Sequence, residues 1–200
     1  MDHLEIFHGD NFNTKSLSPK LMLNGNNQEG VGIYFGTIDV AKGYGGNIIK
    51  AKVNKEKLIA SREPIEKYLS HEKIRKIINM LGEKEPSAIV SYLQDWGFEV
   101  YSPDEITFSD LDEIVNSIKS EEVRNFQIEL SQRFGVENFV SVWNAETDIQ
   151  GTFDNETGFY AIIDTSITVE PYSDNVSIKK VQTKDVDNIQ EEDEEASPSL

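Results

Sequence analysis

The feature that most constrains the fold is the order of two periodicities, with strand-like alternation at both ends of the chain and helical spacing between them. Alternating apolar residues from Leu4 predict a strand that ends at His8-Gly9-Asp10. Val31–Phe35 and Asn47–Val53 predict two more strands, separated by a short helix that Thr37 caps. Strands at the two ends share a core only if they pack together, so the pattern predicts an α+β fold with one mixed or split sheet.

The middle of the chain, from Glu56 to Gly135, has apolar residues at helical spacing after a short strand at Leu58–Ala60. The predicted helices are Ile65–Leu69, a helix capped by Ser70 with Ile74, Ile77, Ile78 and Leu81 on one face, a helix from Pro86 to Gly97, one from Ser109 to Ile118, and Glu121–Phe134. Alternation then returns, and the predicted strands are Phe139–Trp143, Phe159–Asp164, Ile167–Val169 and Val176–Val181.

The chain is strongly acidic, with 36 acidic against 19 basic residues and a formal net charge of −17. Such a charge repels phosphate backbones, so we expect no nucleic-acid partner. Residues 185–200 include seven acids and no base, and their few apolar residues cannot offset the entropy of ordering. We therefore predict one domain over residues 1–184, with a helical middle segment at about 61–135, and an acidic disordered tail at 185–200.

Cysteine is absent from the chain, which excludes disulfides, thiolate metal sites and a cysteine nucleophile. No apolar run approaches the length of a membrane span, and the first residues do not have the pattern of a signal peptide. We therefore expect a cytoplasmic protein with no membrane partner.

The first element that indicates a chemical function is His8-Gly9-Asp10, at the end of the first strand. A glycine there lets a ligand approach the backbone and use its N–H and C=O groups. The neighbouring imidazole can hydrogen-bond a sugar hydroxyl as donor or acceptor. A surface histidine followed by a turn glycine is the alternative interpretation of this element.

Two tyrosines form the second element, with Tyr34 at a strand end and Tyr44 ten residues later on the short helix. Two tyrosines placed in this way can face each other across a slot that suits a flat heteroaromatic ring. Two ordinary core aromatics are the alternative.

An acid-rich loop before the strand Phe159–Asp164 forms the third element, and its acids are Glu146, Asp148, Asp154 and Glu156. A carboxylate at the mouth of a sheet can hold a ribose hydroxyl and stabilise positive charge that develops on a sugar carbon. Acids that are merely solvated in a polar loop are the alternative.

Together these elements resemble the His-Tyr-Glu arrangement of the ADP-ribosyltransferase superfamily, in its diphtheria-toxin-like and poly(ADP-ribose)-polymerase-like members. The stretch GVGIYFGTIDVAKGYGG followed by NIIKAKV is the most specific match. EIFH and NETGFYAIID further resemble the small ADP-ribosyltransferases that phages use as anti-CRISPR proteins. The motifs cover about residues 4–53 and 139–169. The resemblance implies an ADP-ribosyltransferase-like split mixed β-sheet, with a helical segment between its N- and C-terminal strands.

The resemblance also implies an NAD-dependent mono-ADP-ribosyltransferase that modifies a protein target, with NAD as co-substrate and no metal. His8 would hold the adenosine-side ribose of NAD, and Gly9 would bind the nicotinamide carboxamide through its backbone. Asp10 follows, where relatives usually have serine or threonine. Tyr34 would stack on nicotinamide, and Tyr44 would cover the other face of that ring.

The resemblance places the catalytic acid at Glu156, with Asp154 as the fallback. This acid would hold the 2′-hydroxyl of the nicotinamide ribose and stabilise an oxocarbenium-like transition state. In polymerase-like relatives the acid directly precedes the strand tyrosine, and Phe159 has that position here.

Two other interpretations remain open. One is a catalytically inactive module of the same fold that binds NAD or another protein, and the other is an acidic interaction protein that acts through its tail. The phage-like motifs suggest a counter-defence or host-takeover effector in a host cytoplasm, with a target that the sequence does not identify.

Overall fold

The computed structural model describes residues 2–10, 15–22 and 29–173, which form an α+β arrangement of two sheets and six helices. The strands are β1 (His3–Asp10), β2 (Ile33–Phe35), β3 (Asn47–Asn54), β4 (Leu58–Ala60), β5 (Gly151–Phe153), β6 (Tyr160–Ile162) and β7 (Val169–Pro171). The helices are α1 (Ile38–Lys42), α2 (His71–Lys84), α3 (Pro86–Asp95), α4 (Phe108–Ile118), α5 (Val123–Phe134) and α6 (Val136–Glu146). The predicted strand Val176–Val181 and the predicted tail at 185–200 lie outside the described residues.

Strands from the two ends of the chain pair with each other, as predicted, and they lie in two sheets. The first sheet has the order β1-β3-β7 and the second has the order β2-β6-β5-β4. Neighbouring strands are antiparallel except for β4 and β5, which are parallel. An isolated bridge between Phe7 and Gly36 joins the two sheets. The N-terminal strands β2 and β3 pair with the C-terminal strands β6 and β7, which brings distant residues to one junction.

The helical segment confirms the predictions that rest on long periodic runs. The side chain of Ser70 caps α2 by accepting a hydrogen bond from the Lys73 N–H, and the predicted apolar face of α2 is buried. Helix α4 begins one residue before the predicted Ser109, because Thr107 and Asp110 form a capping box there. Within the described part of the chain, no helix has both the length and the apolar character needed to cross a bilayer.

The prediction of a strand at Phe139–Trp143 is wrong, because these residues lie in α6. Four of the five residues are apolar and buried, and a short, mostly apolar segment of this kind is also typical of a buried strand. Gly135 has φ 84° and ends α5, which lets α6 start at the next residue. The helical segment therefore continues to Glu146, beyond the predicted limit at residue 135.

Three shorter segments also differ from the predicted elements. The predicted helix Ile65–Leu69 is only a 3-10 turn at Ile65–Lys67. Gly151–Phe153, predicted as loop, forms β5 between β4 and β6. Helix α1 ends before Gly43, which is its C-cap, so Tyr44 lies just beyond the helix and not on it.

Candidate functional site

His8 lies on β1, and its imidazole is fixed against β2. Its Nδ1 atom is 2.6 Å from the carbonyl oxygen of Tyr34, and a carbonyl oxygen only accepts, so Nδ1 must donate. The neutral ring therefore carries its proton on Nδ1, which makes Nε2 an acceptor. The ring also packs on Phe35, with the centroids 5.5 Å apart. These contacts join the first two predicted site elements across the junction of the sheets.

Gly9 is buried where β1 approaches α1 closely. A Cβ at this position would lie 2.0 Å from the carbonyl oxygen of Ala41 and 3.3 Å from the backbone nitrogen of Gly45. Backbone atoms cannot rotate out of the way as the end of a side chain can, so any side chain here would displace α1. The packing of α1 is thus a structural reason for glycine at this position.

The peptide groups of Gly9 point towards the side of β2. Phe7 exchanges two backbone hydrogen bonds with Gly36, at 3.0 and 2.8 Å, and alternate residues of an antiparallel strand turn their N–H and C=O groups to the same side. Gly9 therefore presents both groups where the chain leaves β2 and turns into α1. Asp10 ends β1 opposite Asn47, and its side chain lies outside the described residues.

Tyr34, Phe159 and Tyr44 form an aromatic wall. Phe159 meets Tyr34 edge-on, with the ring centroids 6.5 Å apart, and it meets Tyr44 in the same manner at 6.3 Å. The prediction of two tyrosines facing each other did not include this ring, which contacts both. Tyr44 is 65% exposed, so the outermost ring of the wall is accessible to a planar ligand.

The hydroxyl group of Tyr34 is tied to the residues that precede β2. It accepts a hydrogen bond from the Glu29 N–H and donates one to the Gly30 carbonyl, both at 3.0 Å. Burial raises the pKa of Tyr34 to about 12, although the hydrogen bond from Glu29 lowers it in part. The next residue, Val31, donates its N–H to Gln127 on α5 at 3.2 Å. The chain before β2 is thus held by Tyr34 of β2 itself and by Gln127 of α5.

Tyr34→Phe should lower the free energy of unfolding by about 1–3 kcal/mol, because two backbone groups lose their partner while the ring remains. Urea unfolding measures this loss. A Tyr34→Phe protein as stable as the wild type would show that the hydroxyl contacts contribute nothing to stability. The variant also serves as a control below, since it keeps the ring surface that a planar ligand would contact.

The two predicted acids, Asp154 and Glu156, share the guanidinium of Arg62. Its Nη2 atom is 2.6 Å from Asp154 Oδ2, and its Nη1 atom is 2.5 Å from Glu156 Oε2. Asp154 Oδ1 also accepts the Glu156 N–H at 2.8 Å. The side chain of Asp154 is 3% exposed and that of Glu156 is 74% exposed. Asp154 is therefore held rigidly under Arg62, whereas Glu156 is accessible.

Glu29 is a third acid of the site, which the sequence analysis did not select. It is 1% exposed, and its carboxyl oxygens accept hydrogen bonds from Ser61 at 3.0 Å and Thr157 at 3.3 Å. Its backbone carbonyl accepts from the Thr152 hydroxyl at 2.6 Å. Burial raises the pKa of Glu29, and the neighbouring Asp154 carboxyl raises it further, although the two hydroxyl donors oppose this effect.

The pKa of Asp154 is shifted in the opposite direction. Burial by itself would raise this pKa, but the Glu156 N–H, the contact with Glu29 and the guanidinium of Arg62 outweigh burial and lower it. Hydrogen bonds and a nearby cation favour the charged form of a carboxyl group, whereas burial without a cation favours the neutral form. The cluster therefore contains one carboxylate that keeps its charge and one carboxyl group that is prone to stay protonated.

These contacts form one continuous cluster. His8 contacts the Tyr34 backbone, the Tyr34 ring contacts Phe159, and the Tyr34 hydroxyl contacts Glu29. The Glu29 carboxyl contacts Thr157, in the turn that also contains Asp154. The predicted side chains that belong to the cluster are His8, Tyr34, Tyr44, Asp154 and Glu156.

Sequence reasoning missed Glu29, Ser61 and Arg62, which no local motif distinguishes. Their contacts in the cluster join positions 32 to 128 residues apart. Phe159 was noted only as a departure from the family pattern, and the structure makes it the central ring of the wall.

In the ranges that the structure describes, no group of three or more histidine, aspartate or glutamate side chains is arranged to hold a metal ion. Comparisons with protein-family models, with curated proteins and with solved structures return no match to this chain. Function is therefore inferred from the geometry of the cluster and from the resemblance of its motifs.

Proposed function

We propose that this chain is an NAD-dependent mono-ADP-ribosyltransferase with an ADP-ribosyltransferase-like split-sheet fold, and that its substrate is a protein. The observation that carries the proposal is the cluster itself. An imidazole, an aromatic wall and a buried carboxylate come from three separate parts of the chain and meet at one junction. The motif resemblance assigns these same groups to NAD. The phage-like motifs favour a counter-defence or host-takeover effector that works in a host cytoplasm.

The chain has groups that can contact the separate parts of NAD. The His8 imidazole is held beside Tyr34 through Nδ1, and the motif resemblance assigns this ring to the adenosine-side ribose. The N–H and C=O groups of Gly9 are turned to the side of β2, where a carboxamide could use both. The exposed ring of Tyr44 offers a face to nicotinamide. These groups therefore come from β1 and from the residue that follows the C-cap of α1.

NAD supplies a bond from the ribose C1′ atom to a cationic nicotinamide, which is a good leaving group. When this bond breaks, nicotinamide leaves with the electron pair and C1′ becomes positively charged. A nucleophilic atom of the target protein then bonds to C1′ and loses its proton. A carboxylate held near C1′ stabilises the charged state more than the ground state, which is the requirement for catalysis.

We assign Asp154 as the acid that meets this requirement, although the sequence alone favoured Glu156. Its pKa is lowered and both of its oxygens are held, so its charge and its orientation are fixed before substrate binds. Arg62 covers Asp154 but is itself 38% exposed. The exposed Glu156 is a second partner for this guanidinium.

Incubation of the protein with labelled NAD and a host lysate tests the proposal. A labelled protein band supports transfer to a protein target. NAD binding by calorimetry without a labelled band supports the second candidate, a catalytically inactive module of the same fold that binds NAD or a protein. The observation that favours this second candidate is that Arg62 pairs with both acids. If the protein neither binds NAD nor produces a labelled band, both candidates are contradicted.

Tyr34→Ala should weaken NAD binding by about 1–3 kcal/mol, because the wall loses a partly buried ring on which nicotinamide can stack. Calorimetry on the folded variant measures the loss. Tyr34→Phe is the matched control, since it loses the hydroxyl contacts and keeps the ring. Unchanged affinity in a folded Tyr34→Ala protein would assign Tyr34 to the core alone.

A further inference from the structure

We propose that Glu29 is a positioning residue for Asp154: its carboxyl group stays protonated and donates a hydrogen bond to the Asp154 carboxylate, so that the pair carries one negative charge opposite Arg62. The role of this hydrogen bond in turnover rests on the proposed function. The protonation of Glu29 does not, because it follows from the contacts of the cluster alone.

The surroundings of Glu29 favour a neutral carboxyl group. The residue is 1% exposed, and the protein groups that donate to its carboxyl oxygens are the uncharged hydroxyls of Ser61 and Thr157. Among the described residues, no lysine or arginine lies within ion-pair distance of Glu29. A buried carboxylate without a cation is costly, and protonation removes that cost.

Asp154 has the opposite surroundings. The guanidinium of Arg62 contacts its Oδ2 atom at 2.6 Å, and the N–H of Glu156 donates to its Oδ1 atom at 2.8 Å. These donors stabilise the charged form. When two adjacent carboxyl groups compete for one cation, the group that contacts the cation keeps the charge and the other takes the proton.

The charged and titratable groups around Glu29 agree with this division. Burial raises the pKa of Glu29, the neighbouring Asp154 carboxyl raises it further, and the hydroxyls of Ser61 and Thr157 lower it. Arg62 contacts Asp154 and Glu156, and it interacts with Glu29 electrostatically without an ion-pair contact. For Asp154, the contact with Glu29 is one of the causes that lower its pKa. A hydrogen bond donated by Glu29 to Asp154 would raise the pKa of the donor and lower that of the acceptor.

This arrangement links the aromatic wall to the acid. The backbone N–H of Glu29 donates to the Tyr34 hydroxyl at 3.0 Å, while its carboxyl group accepts from Thr157, in the same turn that holds Asp154. A proton on Glu29 therefore fixes the Asp154 carboxylate relative to the ring on which nicotinamide is proposed to stack. Ionisation of Glu29 would replace this hydrogen bond by repulsion between two carboxylates.

The proton on Glu29 is tested without any enzyme assay, by thermal unfolding across pH. The pKa of Glu29 is raised in the folded state. The stability that Glu29 contributes is therefore fully present below pH 4.5 and is lost as the pH rises through the folded-state pKa. Glu29→Gln keeps a donor towards Asp154 but cannot ionise. The melting temperature of Glu29→Gln relative to wild type should therefore rise as the pH increases above 4.5. A difference that is constant across pH would overturn the proposal.

Carbon-13 carboxyl NMR of the wild type gives the second structural readout, with Glu29→Gln used to assign the signal. The Glu29 midpoint should lie above its usual value of 4.5 and should fall in Asp154→Asn, where the neighbouring negative charge is removed. A midpoint at 4.5, or one that Asp154→Asn leaves unchanged, would contradict the pairing.

The effect on turnover is tested with two Glu29 variants. Glu29→Met removes the donor and should lower kcat about tenfold with little change in the KM for NAD, because it disorients the acid and not the cofactor site. Glu29→Gln should recover much of that loss and extend activity to higher pH than the wild type. A folded Glu29→Met protein with wild-type kcat would overturn the positioning role. A wild type with no turnover would instead contradict the proposed function, and the two pH titrations would still decide the protonation of Glu29.

Discussion

Asp154→Asn should reduce ADP-ribosyl transfer by about a hundredfold or more, the scale of losing one preorganised electrostatic contact. Asparagine keeps the size of the side chain and removes the charge that the Arg62 and Glu156 contacts hold in place. Affinity for NAD should change far less, because a carboxylate near C1′ acts mainly in the transition state. Single-turnover rates with labelled NAD, together with calorimetric binding, separate the two effects.

Glu156→Gln is the informative companion variant. Its loss of transfer should be smaller, because this side chain is 74% exposed and is held only through Arg62 among the described residues. Glu170→Gln on β7 removes an exposed charge outside the cluster and serves as the control. A larger loss in Glu156→Gln than in Asp154→Asn would return the catalytic role to Glu156. If neither changes the transfer of an active wild type, the acid lies elsewhere, and the next candidates are Glu146 at the end of α6 and Asp148 in the loop.

Gly9→Ala should disrupt the junction between β1 and α1, with a loss of stability of about 1–3 kcal/mol or more, as is typical of overpacking. The new Cβ would lie 2.0 Å from the Ala41 carbonyl oxygen, so α1 must shift or β1 must bend. Because the His8 contact to Tyr34 begins at the neighbouring residue, NAD affinity should fall together with stability. Urea unfolding and calorimetry measure the two losses.

Gly46→Ala is the matched control for this variant, since it also adds one methyl group to a glycine near α1. No heavy atom lies within 4 Å of the position that its Cβ would take. We therefore expect stability and NAD affinity close to those of the wild type. A Gly9→Ala protein that behaves like Gly46→Ala would show that α1 is not held against β1 in solution.

The parts of the fold that could be predicted from sequence are those encoded by long local periodicity. The apolar face of α2 and its Ser70 cap are examples, because spacing and capping act within one element. Phe139–Trp143 could not be assigned correctly, since a buried helix and a buried strand both give an apolar run of that length. The short strand β5 starts with glycine in a polar loop, and only its pairing with β4 and β6 defines it.

The site could be predicted only for residues with distinctive neighbours in sequence. His8 and Tyr34 stand in recognisable motifs, and the structure places them in contact. Glu29 and Arg62 acquire their chemistry from partners that the fold supplies, and an acid or an arginine in a loop has no local mark of such a partner. The choice between Asp154 and Glu156 depended on exposure and on the placement of one guanidinium, which are properties of the folded chain.

The isolated bridge between Phe7 and Gly36 has a mechanical consequence for the site. His8 and Gly9 belong to one sheet, while Tyr34 and Asp154 lie on the other sheet or at its end, so the distance across the site is set by how firmly the sheets are fastened. Among the described residues, the hydrogen bonds that join the sheets at this point are the two backbone hydrogen bonds of the bridge and the His8–Tyr34 contact. A dinucleotide that contacts both sheets would stabilise their joined arrangement, because its binding energy would oppose their separation.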